Sequence, residues 1–144
     1  MEVNIRRFTK NDATEVYNLL ECAEEVHVGG LTYSEKAVQG WESIRSHDII
    51  LVGEVEGKIV GFVASKLNDP EPDSAYIDLI VVKPEYRGKG IGKKLLEQCI
   101  LSLKKRGVFF VHLHVRTGFP RTVNFWKKNG FEKKEQLVWM CKEI

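Results

Sequence analysis

Gly88, Gly90 and Gly92 alternate with Lys89 and Ile91 behind Arg87, in the run Val81-Val82-Lys83-Pro84-Glu85-Tyr86-Arg87-Gly88-Lys89-Gly90-Ile91-Gly92-Lys93. Residues 75–82 ahead of this run read as a strand, and residues 90–106 behind it read as a long amphipathic helix. Glycine lets a backbone adopt positive φ and approach a ligand without a Cβ in between. The first N–H groups of a helix lack internal partners and sit at the positive end of its dipole. A strand that ends in such a turn is an anion site suited to a pyrophosphate. Arg87, Lys89 and Lys93 add charge to it.

Two familiar glycine loops do not fit. A P-loop counted back from Gly92-Lys93 needs glycine where Arg87 stands and a hydroxyl where Lys94 stands. The dinucleotide fingerprint fails because Lys93 occupies the place of its third glycine. The spacing that does fit is Arg/Gln-x-x-Gly-x-Gly/Ala, filled by Arg87, Gly90 and Gly92. With it, the chain resembles the GNAT superfamily of coenzyme-A-dependent N-acetyltransferases. The likeness runs along nearly the whole chain. It takes in the opening Val3-Asn4-Ile5-Arg6-Arg7-Phe8 with a helix starting near Asp12, a central hairpin, the glycine run, and the closing Asn129-Gly130-Phe131.

The resemblance implies acetyl-CoA as cofactor and direct transfer of its acetyl group to an amine in a ternary complex. It implies that backbone groups at Ile80, Val81 and Val82 pair with the pantetheine arm where the fourth and fifth strands splay apart. Arg87, Gly88, Lys89, Gly90, Ile91 and Gly92 would then wrap the pyrophosphate, with Lys93 nearby. The acceptor is expected to be a small-molecule amine or a peptide amine. Relatives are often dimers, which makes a homodimer the assembly to look for.

Acetyl transfer to an amine sets three tasks. An ammonium must lose a proton before it can attack. The oxyanion that develops needs a donor, for which a backbone N–H near Val81 serves. The thiolate can take a proton from an acid. Many relatives place a tyrosine for that acid five residues before the Gly-Phe phenylalanine, and here Trp126 stands in its place. Indole does not usefully donate a proton, so Trp126 is read as packing against the pantetheine arm or the core. A thiol with an ordinary pKa of ~8.5 leaves tolerably as thiolate without an acid. Phe119-Pro120 stands where an asparagine contacting pantetheine is common.

His114 is the first expected base, at a place where some relatives carry glutamate, and a histidine accepts protons near neutral pH. His112 shares its face. The same histidine also suits a hydrogen-bonded place inside the sheet. Asp78 is the second, although an acid in a buried strand also reads as half of an ion pair. Tyr76, on the same strand face as Asp78, reads as a pocket wall or a relay. Glu21, Glu24 and Glu25 beside His27, followed by Tyr33 and Trp41, either attract a cationic amine or form a solvated helix face.

The elements that must position these residues follow from periodicity. Residues 3–8 read as a strand, and Thr9 three residues before Asp12 has capping-box spacing ahead of Ala13, Val16, Leu19, Leu20 and Ala23. Gly29-Gly30 ends that region, and Ser34 caps a second helix carrying Ala37, Val38, Trp41 and Ile44. Residues 49–55 and 58–67 read as strands joined by the turn Glu56-Gly57. Residues 108–115 read as a strand, 122–129 as a short helix, and 132–136 and 137–142 as two closing strands. The order β-α-α-β-β-β-α-β-α-β-β is an α/β fold with a mixed, mostly antiparallel, GNAT-like central sheet. The 144 residues suit a single domain.

Composition narrows the classes. Apolar residues are 43% and charged residues 29%, the balance of a globular protein. A net charge of +2 argues against a nucleic-acid partner, and basic residues clustered at 83–94 suit a small anion better. Cys22, Cys99 and Cys141 have no CxxC spacing, so neither a metal site nor a disulfide framework is expected. No signal-like or membrane-length apolar run is present, and a cytoplasmic location with no membrane partner is the expectation. Two other readings stay open: an inactive acyl-CoA-binding sensor, suggested by Trp126, and a nucleic-acid binder built on the basic loop.

Overall fold

In the computed structural model, five strands pair in chain order: β1 (Asn4–Arg7), β2 (Ile49–Val55), β3 (Lys58–Leu67), β4 (Ser74–Val82) and β5 (Phe110–His112). The first three pairings are antiparallel and β4–β5 is parallel. The helices are α1 (Ala13–Leu20), α2 (Glu35–Gly40), α3 (Ile91–Lys104) and α4 (Pro120–Lys128). The structure describes residues 1–23, 35–41, 47–68 and 73–144. Gly29, Gly30, Ser34 and Ile44, expected to bound and extend α2, lie outside the described residues. The described chain divides into two compact units, Met1–His114 and Val115–Ile144.

In the first unit the β2–β3 hairpin turns through Glu56 and Gly57, both at positive φ (51° and 78°). That is the backbone a two-residue turn needs to match the twist of its strands. The side chains on one sheet face form a core with α1 and α2: Val16, Leu19, Leu20, Val38, Trp41, Val52, Phe62, Ala64 and Val81 are buried together. Each large member contributes about 1.5–3 kcal/mol by leaving water. On the other face α3 packs close because Gly53 and Gly61 carry no side chain there; a Cβ on Gly61 would come within 3.2 Å of Leu95 Cδ1.

The N-terminal corner is held by charge. Arg6 on β1 donates two hydrogen bonds of 2.8 Å to the Asp12 carboxylate and one to Glu54 on β2. Asp12 also accepts the Thr9 N–H at 2.7 Å, the capping arrangement expected from their spacing. The Arg6 hydrogen bonds are the main cause that holds the Asp12 carboxyl below its ordinary range, against the opposing effect of burial. The guanidinium is pushed up in turn, chiefly by Asp12.

In the second unit, α4 begins at Pro120, two residues earlier than its periodicity indicates, since proline suits a first helical turn. It ends in a Schellman cap: Gly130 N–H donates to Lys127 O at 3.2 Å and Phe131 N–H to Trp126 O at 3.0 Å, with Gly130 at φ 88°. The accompanying apolar contact is Trp126 against Phe131, ring centres 5.0 Å apart. Residues 132–136 and 137–142 are a correction, because residues 131–144 hold neither helix nor strand. Glu132, Lys133, Lys134, Glu135 and Gln136 offer no apolar face, and Leu137, Val138, Trp139 and Met140 stay exposed without a paired register.

Candidate functional site

β4 and β5 pair over only three positions, Ser74 with Phe110, Ala75 with Val111 and Tyr76 with His112. Both strands run in the same direction from there, and β4 continues to Val82 with no strand on that side among the described residues. The sheet is therefore splayed at the C-terminal end of β4. Lys83 N–H donates to Val60 O across the β3 side. Antiparallel pairs alternate in direction, so Val81 also turns its backbone groups toward β3, while Ile80 and Val82 turn theirs into the splay. Of Ile80, Val81 and Val82, two face the opening and one does not.

A short 3-10 turn (Pro84–Tyr86) then leads from β4 to the glycine run. Gly88 and Gly90 have φ of 75° and 81°, and a Cβ built on either meets no atom within 4 Å. Gly90 is the residue before α3, and its carbonyl accepts the Lys94 N–H at 3.1 Å. The amides of Gly88, Lys89 and Gly90 have no acceptor among the described residues, and those of Ile91, Gly92 and Lys93 are the helix's own unpaired donors. The loop is thus a cup of open N–H groups at a positive helix end, and it fits a diphosphate.

The basic side chains play different parts. Arg87 Nε donates to Val82 O at 2.9 Å and Nη2 reaches Cys22 O at 3.5 Å, so Arg87 braces the loop against the strand it leaves and against the end of the α1 region. Lys89 lies over the Tyr86 ring with its Nζ 5.6 Å from the centre. Lys93 is exposed, 3.9 Å from Glu97. Trp126, in the second unit, is 6% exposed and packs edge-on against Phe125 and Phe131.

The three expected proton-handling residues come together at the splay. Asp78 is the extra residue of a bulge in β4, where the register steps from Ala64 opposite Leu79 to Ser65 opposite Ile77. Such a bulge re-aims a side chain, and here it brings Asp78 toward the face that carries Trp41 and Phe62. Tyr76 Oη lies 3.1 Å from His114 Nδ1, and its ring contacts both His112 and His114 at 5.3 and 5.4 Å. Burial first, and then the charge of Asp78, push the Tyr76 phenol above its ordinary pKa, while a hydrogen bond with the His114 backbone opposes them. The phenol therefore keeps its hydrogen, and it shares a hydrogen bond with Nδ1.

One residue has no sequence signal at all. His47, absent from the expectations, lies with Nε2 2.9 Å from Asp78 Oδ2. A lone histidine before a strand looks like any surface residue, and only the fold brings it to a carboxylate 31 positions away. Of the acidic cluster, Glu21 is exposed at the end of α1, whereas Glu24, Glu25, His27 and Tyr33 lie outside the described residues. A separate concavity lined by Asn68, Ser74, Phe110 and His112 sits at the start of β4, away from the glycine run.

A family model described as the acetyltransferase (GNAT) family matches residues 13–131, most of the chain. The chain belongs to the GNAT acetyltransferase family. Acetyl-CoA is the acyl donor of GNAT proteins, and the open amides at 88–92 and the free edge of β4 suit its diphosphate and pantetheine arm. The chain is 40% identical over 99 residues to an uncharacterized N-acetyltransferase of Methanocaldococcus jannaschii, a match covering 66% of this chain and 44% of that one. It therefore spans less than half the length of that relative. It is 28% identical over 155 residues to a spermidine N(1)-acetyltransferase of Thermoplasma acidophilum, covering 94% of this chain and 91% of the relative. The crystal structure of PaiA N-acetyltransferase from Thermoplasma acidophilum in complex with coenzyme A has the same fold, with a TM-score of 0.77 at 24% identity, covering 94% and 93% of the two chains. No helix among the described residues is long and apolar enough to cross a membrane.

Proposed function

We propose that this GNAT protein transfers the acetyl group of acetyl-CoA directly to a primary amine while both are bound. The observation that carries this reading is the pairing of an open β4 edge with bare amides at the start of α3. Acetyl-CoA supplies an acetyl group activated as a thioester. The amides at 88–92 hold its diphosphate, and the Ile80 backbone groups and the Val82 N–H that face the splay align its arm as an added strand would lie. An N–H on that edge also stabilises negative charge developing on the carbonyl oxygen, the task the sequence reading gave to Val81.

Asp78 and the Tyr76–His114 pair stand at the same opening, where the amine must come. Asp78 takes the ammonium proton. His114 Nδ1 is engaged with the Tyr76 hydroxyl, and the pair serves to orient the amine. A relative named for spermidine acetylation supports a cationic amine as acceptor.

The test follows thiol release from acetyl-CoA across polyamines, amino-acid-like amines and peptide amino termini. Turnover of at least one amine well above background is expected; tight CoA binding with no turnover across the panel would favour the inactive sensor. Asp78→Asn should remove the acid limb of the kcat/KM profile. A limb lost in His114→Ala and kept in Asp78→Asn moves the base to His114.

A further inference from the structure

The functional face of β4 continues beyond the splay. Phe62 and Ala64 of β3 belong to the core face, and strand alternation puts Lys66 and its partner Tyr76 on that face too. Ser65 turns the other way, to Cys99 of α3. Ser74, two positions before Tyr76, shares the Tyr76 face, as do the β5 partners Phe110 and His112. The Tyr76 ring contacts His112 at 5.3 Å, and the Phe110 ring stacks on His112 at 6.1 Å. A track therefore runs from Asp78, past Tyr76 and His112, to the concavity at the start of β4.

The chemistry at the far end of this track suits a second cation. Asp73 brings a carboxylate to the lining, beside Phe109 and Phe110. Those two rings are 82% and 51% exposed, and aromatic faces attract an alkylammonium while covering its methylene chain. The Asn68 amide donates to Ser74 Oγ at 2.6 Å and is bonded to His112 Nε2 at 2.8 Å, so its hydrogens are already engaged within the wall. Neither lysine nor arginine lines the concavity. Lys66, opposite Tyr76, is exposed, and its long chain can hold its charge in water.

We propose that this concavity is a second subsite for the acceptor, holding the far ammonium of a linear diamine while the near amine reacts beside Asp78. The inference rests on the amine-acetylation reading above. In that reading the pantetheine arm takes the open edge at Ile80 and Val82. The tail of a bound amine then leaves along β4 in the opposite direction, over Tyr76 and His112. From Asp78 back to Ser74 the strand runs four positions, roughly 13 Å at ~3.3 Å each. An extended chain advances ~1.2 Å per bond, so about ten bonds between the two nitrogens cover that length. A short diamine leaves the subsite empty.

The experiment measures kcat/KM for pairs of acceptors that differ only in the far group: a terminal diamine and the monoamine of the same chain, from butane through octane to decane. For the butane pair the diamine-to-monoamine ratio should stay near the statistical factor of about two for two reactive ends. At octane or decane it should reach about tenfold, the scale of an exposed ion pair joined to a cation–π contact. Asp73→Asn should lower the octane ratio by about threefold or more. Phe110→Leu should lower it too, because leucine keeps apolar bulk and lacks the negative ring face. A ratio that does not rise with length, or one that both variants leave at the wild-type value, overturns the subsite while the acetylation reading stands. A monoamine preferred at octane would assign the concavity to an apolar tail and overturn the ammonium. No turnover of any amine removes the acetylation reading, and the subsite with it.

Discussion

Tyr76 Oη and His114 Nδ1 stand 3.1 Å apart, bridging β4 and the chain just past β5 at the point where the two strands cease to pair. The bond lies at the closed end of the splay, where it ties Tyr76 to the chain beyond β5. Tyr76→Phe keeps the ring and removes the hydroxyl. A hydrogen bond of this kind contributes about 1 kcal/mol, so kcat/KM for the amine should fall roughly fivefold to tenfold. His114→Ala should cost a similar factor. The double variant should cost little more than either, since the two act as a unit. Steady-state kinetics of the three variants give the answer; full additivity would mean that the bond does not couple them.

Gly90 and Gly57 make a matched pair for testing the anion cup. Both have positive φ, 81° and 78°, and a Cβ on either meets nothing within 4 Å. Replacing either by alanine should therefore cost a similar ~1 kcal/mol of stability, the penalty of a left-handed backbone. Only Gly90 faces the proposed diphosphate. Gly90→Asp should fold and lose CoA affinity by more than about tenfold, because it adds both bulk and negative charge where an anion binds. Gly57→Asp should bind CoA as the wild type does. Calorimetric titration and thermal melts on the four variants measure this, and equal CoA affinity at Gly90→Asp would remove the cup.

The same glycines show what the sequence could tell. Local rules sufficed wherever a residue's role depends on its neighbours along the chain. Glu56-Gly57 gave the hairpin, Thr9 and Asp12 the helix entry, and Asn129-Gly130-Phe131 the helix exit. The strands at 49–55 and 58–67 have the bounds expected of them. Residues 108–115 shortened to Phe110–His112 because pairing with β4 stops at Tyr76, which is a property of the splay and not of the segment. The bulge at Asp78 is hidden for the same reason: it is set by register against β3. His47 is hidden further, since its importance exists only through Asp78. Arg87, expected to add charge to the cup, instead spends its guanidinium on the Val82 and Cys22 carbonyls.

Asp12 provides a pH test of the N-terminal corner. Its carboxyl is held below the ordinary range in the folded state, mainly by the hydrogen bonds from Arg6. The folded protein therefore binds this proton less readily than the unfolded chain does. Its contribution is present in full above the unfolded carboxylate pKa of ~3.9 and is lost as pH falls through the lower folded value. Asp12→Asn should be less stable than wild type by about 1–2 kcal/mol near neutrality, counting the capping loss and a partly screened ion pair. The gap should narrow as pH falls below the unfolded carboxylate pKa and close beneath the lower folded value. Denaturant midpoints at several pH values test it; a constant difference down to acid pH would assign the loss to packing instead.

Gly61 and Gly53 lie under α3 on adjacent strands, yet they should respond differently to a methyl group. At Gly61 a Cβ would lie 2.9 Å from Val81 O and 3.2 Å from Leu95 Cδ1, and the carbonyl belongs to a paired strand that cannot swing aside. At Gly53 the nearest atoms are the flexible ends of Val3, Leu95 and Ile91, at 3.4 Å or beyond. Gly61→Ala should cost about 1–3 kcal/mol from overpacking, and Gly53→Ala should change stability by less than about 1 kcal/mol. Because the displaced strand is β4, whose far edge carries Ile80 and Val82, Gly61→Ala should also weaken CoA binding, several-fold, while Gly53→Ala leaves it alone. Melting temperatures and CoA titrations of the two proteins decide the matter. A stable Gly61→Ala protein with unchanged CoA affinity would show that β4 yields to the methyl without moving the edge that receives the cofactor.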